Sequence, residues 1–213
     1  MDNGLLNGIS HMKQSTIKLK GSSTVYFDPY DIAGEPMDAD VIFISHSHYD
    51  HFSIGDIRKI MKKDTILVLP EECVKDASKA GMTNITAVLP SGNYEAAGLR
   101  FSTVPAYNIR KLFHKKRNRW VGYVVNINDA KYYFAGDTDC IPEMNNIEAD
   151  VAFLPVGGTY TMNWREAVDA ANMINPKIAV PIHFKDIVGT VDDAVNFTKG
   201  IHSTIQGVIL KTQ

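Results

Sequence analysis

Short apolar runs, each bounded by turn-forming residues, recur along the whole chain and leave it few ways to fold. They cover residues 24–27, 41–45, 65–69, 85–89, 99–104, 121–127, 131–135, 151–156, 178–182 and 207–210. Their length and their Val, Ile, Phe and Tyr content predict strands. The stretch "NIND" at 126–129 lies between two of them and predicts a hairpin turn. Four other stretches carry a helical signal instead. Ser53 and Asp56 have capping-box spacing ahead of 54–63, where Ile54, Ile57, Ile60 and Met61 share one face. A helix over 71–80 stops at Gly81, a residue suited to the position just past a helix end. Asn163 with Glu166 opens 164–174, and Thr190 with Asp193 opens 191–199. Antiparallel signals crowd the first half, while later strands alternate with helices. Two sheets packed face to face, with helices outside, would bury most of these strands. The expected class is therefore α+β.

A length of 213 residues suits one substantial domain. With no low-complexity segment or linker, residues 13–213 are read as a single domain. Residues 1–12 are read as a tag or disordered N-terminus, because "ISHM" at 9–12 resembles a cloning scar. A net charge of −2 gives no general case for binding nucleic acid or membrane. No apolar run reaches bilayer length, and no signal-peptide pattern opens the chain. Cys73 and Cys140 are too few for a disulfide framework, which points to free thiols in the cytoplasm.

The stretch "VIFISHSHYDHFS" at 41–53 places three of the chain's seven histidines within six positions. His46 and His48 leave a buried strand with side chains on the same face, so both can reach one metal ion. Asp50 and His51 follow, where the turn into the next helix swings them toward a second position. Imidazole and carboxylate without thiolate suit Zn²⁺ and also accept Mn²⁺ or Fe²⁺. Two later strands each end in one metal-competent residue, Asp137 in "YYFAGDTD" and His183 in "IAVPIHF". Taken singly, Asp137 also fits an ordinary turn aspartate and His183 a core histidine.

These three segments together resemble the metallo-β-lactamase superfamily, whose signature is HxHxDH after a buried strand. The closest resemblance is to the subgroup of L-ascorbate-6-phosphate lactonase and uncharacterised Zn-dependent hydrolases. "GGTYTMNWREAV" at 157–168 and "VYFDPY" at 25–30 extend the resemblance over about residues 15–210. It implies an αββα four-layer sandwich of two mixed β-sheets. It also implies a binuclear centre: His46 and His48 on one divalent ion, Asp50, His51 and His183 on a second, and Asp137 bridging. Asp50 and Asp137 are then the catalytic carboxylates. The implied reaction is hydrolysis of an ester-type bond, such as a lactone or phosphodiester, by metal-activated hydroxide. Asp28 would orient a ligand loop through hydrogen bonds, or simply start a turn before Pro29. Redox di-iron relatives carry HxExDH, and His48 stands where they have the glutamate. A catalytically weak metal-binding or sensor protein is the other alternative.

The pattern also breaks. Asn108 stands where the superfamily usually supplies another histidine, and Gln14-Ser15-Thr16 replaces its usual Gly-His. His114 is the candidate substitute, as metal ligand or substrate contact, against a solvent-exposed loop histidine. Arg110, Lys111, Lys115, Lys116, Arg117 and Arg119 crowd the same loop. Lys115, Lys116 and Arg117 would hold a small anionic substrate, or form an ordinary solvated surface. Tyr160 and Thr161 would donate hydrogen bonds to substrate, or pack. Cys140, near Asp137, reads as a small buried residue rather than a ligand.

Overall fold

The computed structural model describes residues 3–211. One sheet contains β1 (Ile9–His11), β2 (Ile17–Lys20), β3 (Thr24–Phe27), β4 (Ala39–Phe43), β5 (Met61–Pro70) and β6 (Ile85–Val88), in that spatial order. Its first two pairings are antiparallel and the other three parallel. The second sheet runs β13 (Gln206–Gly207), β12 (Ile178–Ile182), β11 (Val151–Pro155), β10 (Ala130–Phe134), β9 (Val121–Ile127), β8 (Leu99–Pro105) and β7 (Asn93–Ala96). Here β10 to β13 are parallel and β7 to β10 antiparallel. Both sheets are therefore mixed.

Strand alternation sorts side chains into three buried layers. Val25, Phe27, Val41, Phe43 and Val68 face the other sheet and meet Phe101, Tyr123, Phe134, Phe153 and Val180. Phe27 stacks on Phe43 and Phe134 at centroid distances of 5.2 and 4.9 Å, tying the two sheets together. The opposite parity, Tyr26, Ile42, Ile44, Leu67 and Leu69, packs under α1 (Ile54–Ile60) and α2 (Glu71–Lys79). Tyr133, Ala152, Leu154 and Ala179 pack under α3 (Trp164–Ile174) and α4 (Val191–Gly200). The result is the αββα sandwich.

Most local expectations are met, although the run at 207–210 is a strand only at Gln206–Gly207. Asn163 with Glu166 and Thr190 with Asp193 form reciprocal capping boxes. Asn128 and Asp129 both take positive φ, making the two-residue turn between β9 and β10. The signal at Ser53 gives only half a box. Its side chain accepts from Asp56 N, while the Asp56 carboxylate instead holds the backbone N–H groups of Asp31 and Ile32. Helix α1 also ends at Ile60, three residues short of the expected 63, because Met61 already pairs with Ala39.

Strands β1, β2 and β7 carry no clear apolar run and escaped the periodicity. Ile9–His11, set outside the fold by the sequence, pairs with Ile17–Leu19 at the sheet edge, and His11 is buried. Residues 1 and 2 of that N-terminal expectation lie outside the described residues.

Candidate metal centre and active site

The loops following the carboxyl ends of β4, β10 and β12 converge, the usual place for a site in sheets with parallel strands. His46, His48, Asp50 and His51 follow β4, Asp137 follows β10, and His183 follows β12. Two glycines make this convergence possible. Gly136 has φ +63°, and a Cβ there would lie 2.8 Å from the Ser45 Cβ. A Cβ on Gly157 would lie 2.4 Å from the His183 carbonyl oxygen. Backbone strain gathers here too: Gln14, Asp28 and His183 all adopt left-handed φ, at 51°, 43° and 56°.

Asp28 organises the first strand's ligands. Its carboxylate accepts from Ser45 N (2.7 Å), Ser45 Oγ (2.5 Å) and His51 Nδ1 (2.6 Å). With its own proton committed to Asp28, Ser45 Oγ can only accept from His46 Nδ1, 2.9 Å away. This network turns Nδ1 of both rings toward oxygen and leaves both Nε2 atoms facing inward; although burial opposes it, the Asp137 and Asp28 carboxylates push the His51 pKa well up. Burial pushes the Asp28 carboxyl pKa up despite the His51 imidazole beside it.

Asp137 sits between the histidines. Its Oδ1 lies 3.3 Å from His51 Nε2, and its Oδ2 lies 3.2 Å from both His114 Nε2 and His183 Nε2. Burial would raise its pKa, but the neighbouring His183 and His51 imidazoles outweigh this and hold the carboxyl well below its usual range. For His46, burial and the nearby His51 push the imidazole pKa well down, keeping it neutral as a ligand requires. His48 moves the same way through burial and His114.

The solvent-exposed reading of His114 does not hold. It is buried, with 1% of its surface exposed. Asn108 is the reason: its Oδ1 accepts from His114 N at 2.9 Å and lies 3.2 Å from His114 Nδ1. Asn108 Nδ2 in turn donates to Asp139 and to the Tyr160 carbonyl. The residue that stands in a histidine's place therefore orients a histidine six positions later, with Nε2 facing the site.

Three groups of possible ligand atoms lie within 4.8 Å of one another: His46–His48–His114, Asp50–His51–His183, and Asp28–His46–His51, the last already joined by hydrogen bonds through Ser45 and Asp28. A divalent cation fits this arrangement by a test of unmet valence. His51 Nε2, His114 Nε2 and Asp137 Oδ1 are fully buried without a well-formed hydrogen bond, the imidazoles and the carboxylate standing 3.2–3.3 Å apart. Nitrogen lone pairs and a carboxylate oxygen facing one another in a dry pocket are costly unless a cation lies among them.

Other expected contacts fall elsewhere. Tyr160 lines the cavity above these groups, but Thr161 is fully buried and does not. Lys115, Lys116 and Arg117 do not line it either. Lys116 reaches Glu143 at 2.8 Å, and Arg117 lines a separate depression beside Pro70 and Glu72. Three contributors were missed. Gln14 donates to Asp50 Oδ2 and His183 Nε2 at 3.1 and 3.0 Å. Trp120 packs 4.8–5.3 Å from the rings of His46, His48 and His114, and its indole N–H donates to Glu72. Ser45 links two ligands. Of these, only Gln14 had a sequence signal, as the replacement for a usual Gly-His.

Two mixed sheets between helices, with histidine and aspartate gathered at their strand ends, define a metal-dependent hydrolase of the metallo-β-lactamase fold. The chain belongs to the beta-lactamase superfamily, whose domain model matches residues 9–183. A UPF0173 metal-dependent hydrolase of Listeria monocytogenes is 30% identical over 230 residues, spanning 95% of this chain and 96% of that one. Igni18, a metallo hydrolase from Ignicoccus hospitalis, is similar in fold, with a TM-score of 0.80 at 20% identity over 95% of this chain and 94% of its own. The diiron β-hydroxylase CmlA of Streptomyces venezuelae also aligns, with a TM-score of 0.78 at 11% identity, over 96% of this chain and 52% of that one. Architecture alone thus accommodates more than one chemistry, and the donor set must discriminate.

Proposed function

We propose that this enzyme holds two divalent cations, Zn²⁺ before Mn²⁺ or Fe²⁺, and hydrolyses an ester-type bond, lactone or phosphodiester, in a small molecule. The observation that carries this reading is Asp137: one carboxylate within 3.3 Å of three imidazoles borne on separate segments. His46, His48 and His114 would hold one ion and Asp50, His51 and His183 the other, with Asp137 shared. Five imidazoles with two carboxylates favour zinc, and His48 replaces the carboxylate that iron redox chemistry would use. Such an ion pair supplies hydroxide at neutral pH and charge stabilisation at the attacked oxygen.

The protein's own groups supply orientation. Asp28, through Ser45 and His51, keeps the ligand rings oriented. Asp50 Oδ2, held by Gln14 at the edge of the cavity, is placed to accept a proton from water and pass it to the leaving group. Anion preference was tied to Lys115, Lys116 and Arg117, and none of these side chains lines the cavity, so it is not part of the reading. Among the described residues no helix is long and apolar enough to cross a membrane. Cys73 and Cys140 are both unpaired, which supports a reducing compartment such as the cytoplasm.

The test combines metal analysis of the purified protein with turnover of simple lactones and phosphodiesters, with and without chelator. The expected result is about two ions per chain and hydrolysis abolished by chelation. Stoichiometric metal with no turnover of any substrate would favour the sensor alternative, and absence of metal under every loading condition would overturn the proposal.

A further inference from the structure

The cavity over the candidate metal centre measures about 230 Å³, smaller than the pockets that hold drug-sized ligands. Its floor is His48, Asp50, His114, Asp137 and His183. Its walls are Tyr49, Phe113, Tyr160 and Ile187. Phe113 packs edge-on against Tyr160, with ring centroids 4.7 Å apart, and Tyr30 braces Tyr49 in the same manner at 5.9 Å. Tyr49, Phe113 and Ile187 remain 66%, 50% and 37% exposed, an apolar rim left to solvent around a polar floor.

No lysine or arginine lines this cavity. Three cations of the neighbouring loop are paired with carboxylates. Lys111 binds Asp139 at 2.6 Å, Lys116 binds Glu143, and Arg119 lies 3.6 Å from Glu71. A phosphorylated or otherwise charged tail lying between these walls would meet aromatic and aliphatic carbon, with no lysine or arginine among the described lining residues to pair with it.

Resting on the hydrolase reading above, we infer that the substrate is a small uncharged ester or lactone bearing an alkyl or aryl group. The scissile carbonyl meets the ligand floor and the hydrocarbon lies between Tyr49, Phe113, Tyr160 and Ile187. Opening a lactone there consumes one water. The water oxygen bonds to the acyl carbon, the acyl carbon–ring oxygen bond breaks, one proton goes to the departing alcohol oxygen and the other is released from the new acid.

Hydroxamates test the wall without requiring turnover, because their head group chelates the metals whatever the tail. Calorimetric titration of zinc-loaded protein would compare aceto-, butano-, hexano- and benzohydroxamate with succinate monohydroxamate, with metal content measured on the same samples. Affinity should rise about threefold to fourfold per added methylene, and benzohydroxamate should bind at least about tenfold more tightly than the carboxylate-tailed probe. Phe113→Ala should flatten that gradient while leaving metal content unchanged. Equal affinity for all tails, or tightest binding of the succinate derivative, would overturn the inference. A gradient that persists in a protein hydrolysing no lactone or ester would sink the hydrolase reading alone and leave a binding site for apolar metal-seeking molecules. Loss of metal from the wild-type protein would remove both.

Discussion

At the scale of single residues, the site depends on side chains whose work is to aim others. Asp28 touches no cavity space, yet it orients the rings of two ligands and is held at φ 43° to do so. Asp28→Asn keeps the shape but offers an amide in place of one acceptor oxygen. Metal affinity should fall about 10–100-fold, the usual cost of losing such a partner, measured by competition with a chromophoric chelator. His114→Ala leaves His46, His48 and the shared Asp137 for the first ion, the minimum of three, so that ion should bind more weakly and bound metal should fall from about two toward about one per chain at limiting zinc. Trp120, against His46, His48 and His114, gives an independent signal: zinc titration should change its fluorescence in wild type and much less in the variant. Unchanged metal content in His114→Ala would return His114 to a purely structural part. The role of Asn108 could not be read from its position, because an amide that orients a neighbour and one that merely fills a ligand's place look identical in a sequence.

At the scale of elements, the strand ends must be brought close enough for their residues to meet. Gly136 lets the turn after β10 pass against Ser45, the residue before the first ligand. Gly136→Ala adds a methyl 2.8 Å from the Ser45 Cβ in a left-handed backbone. The backbone term alone costs about 1–2 kcal/mol, and Tm should drop by about 2–4 °C per kcal/mol for a chain of this size, with metal binding weakened in parallel. A second element-scale junction is Asp40 on β4, which accepts from Thr24 N on β3 and from Lys62 Nζ beyond the bulge. The Lys62 ammonium holds the Asp40 carboxyl below its ordinary value. A depressed folded-state pKa stabilises above the unfolded value, near 4, and the gain is lost as pH falls through the folded value. Wild type should therefore be more stable than Asp40→Asn at pH 6–7. Thermal scans should show the difference shrinking below about pH 4; an unchanged gap at pH 3 would refute this. The chain's four helices and its apolar strands were legible because their signals are local. Strands β1, β2 and β7 were not, being short and half-polar; pairing with a neighbour, rather than their own pattern, makes them strands.

At the scale of the molecule, the candidate centre joins both sheets: four ligand positions follow the first sheet's β4, and His183, Asp137 and His114 come from segments of the second. A cation bound there cross-links the sandwich. At a hundredfold excess over Kd it should add about 2.7 kcal/mol, or roughly 5–10 °C in Tm at the sensitivity given above, and chelation should reverse the gain in differential scanning fluorimetry. No change would mean that the ligands do not bind metal in the folded state. The amino-acid sequence by itself pointed to two packed sheets, through strand period and turn chemistry, and the histidine cluster with the family resemblance it carries pointed to candidate ligands after β4, β10 and β12. Only the tertiary structure decided that His114 faces inward, that Asp28 holds both Ser45 and His51, and that Lys115, Lys116 and Arg117 lie off a cavity with an apolar mouth. Those depend on which of several available hydrogen-bond and packing partners lies within reach, and reach is set by how distant segments cross.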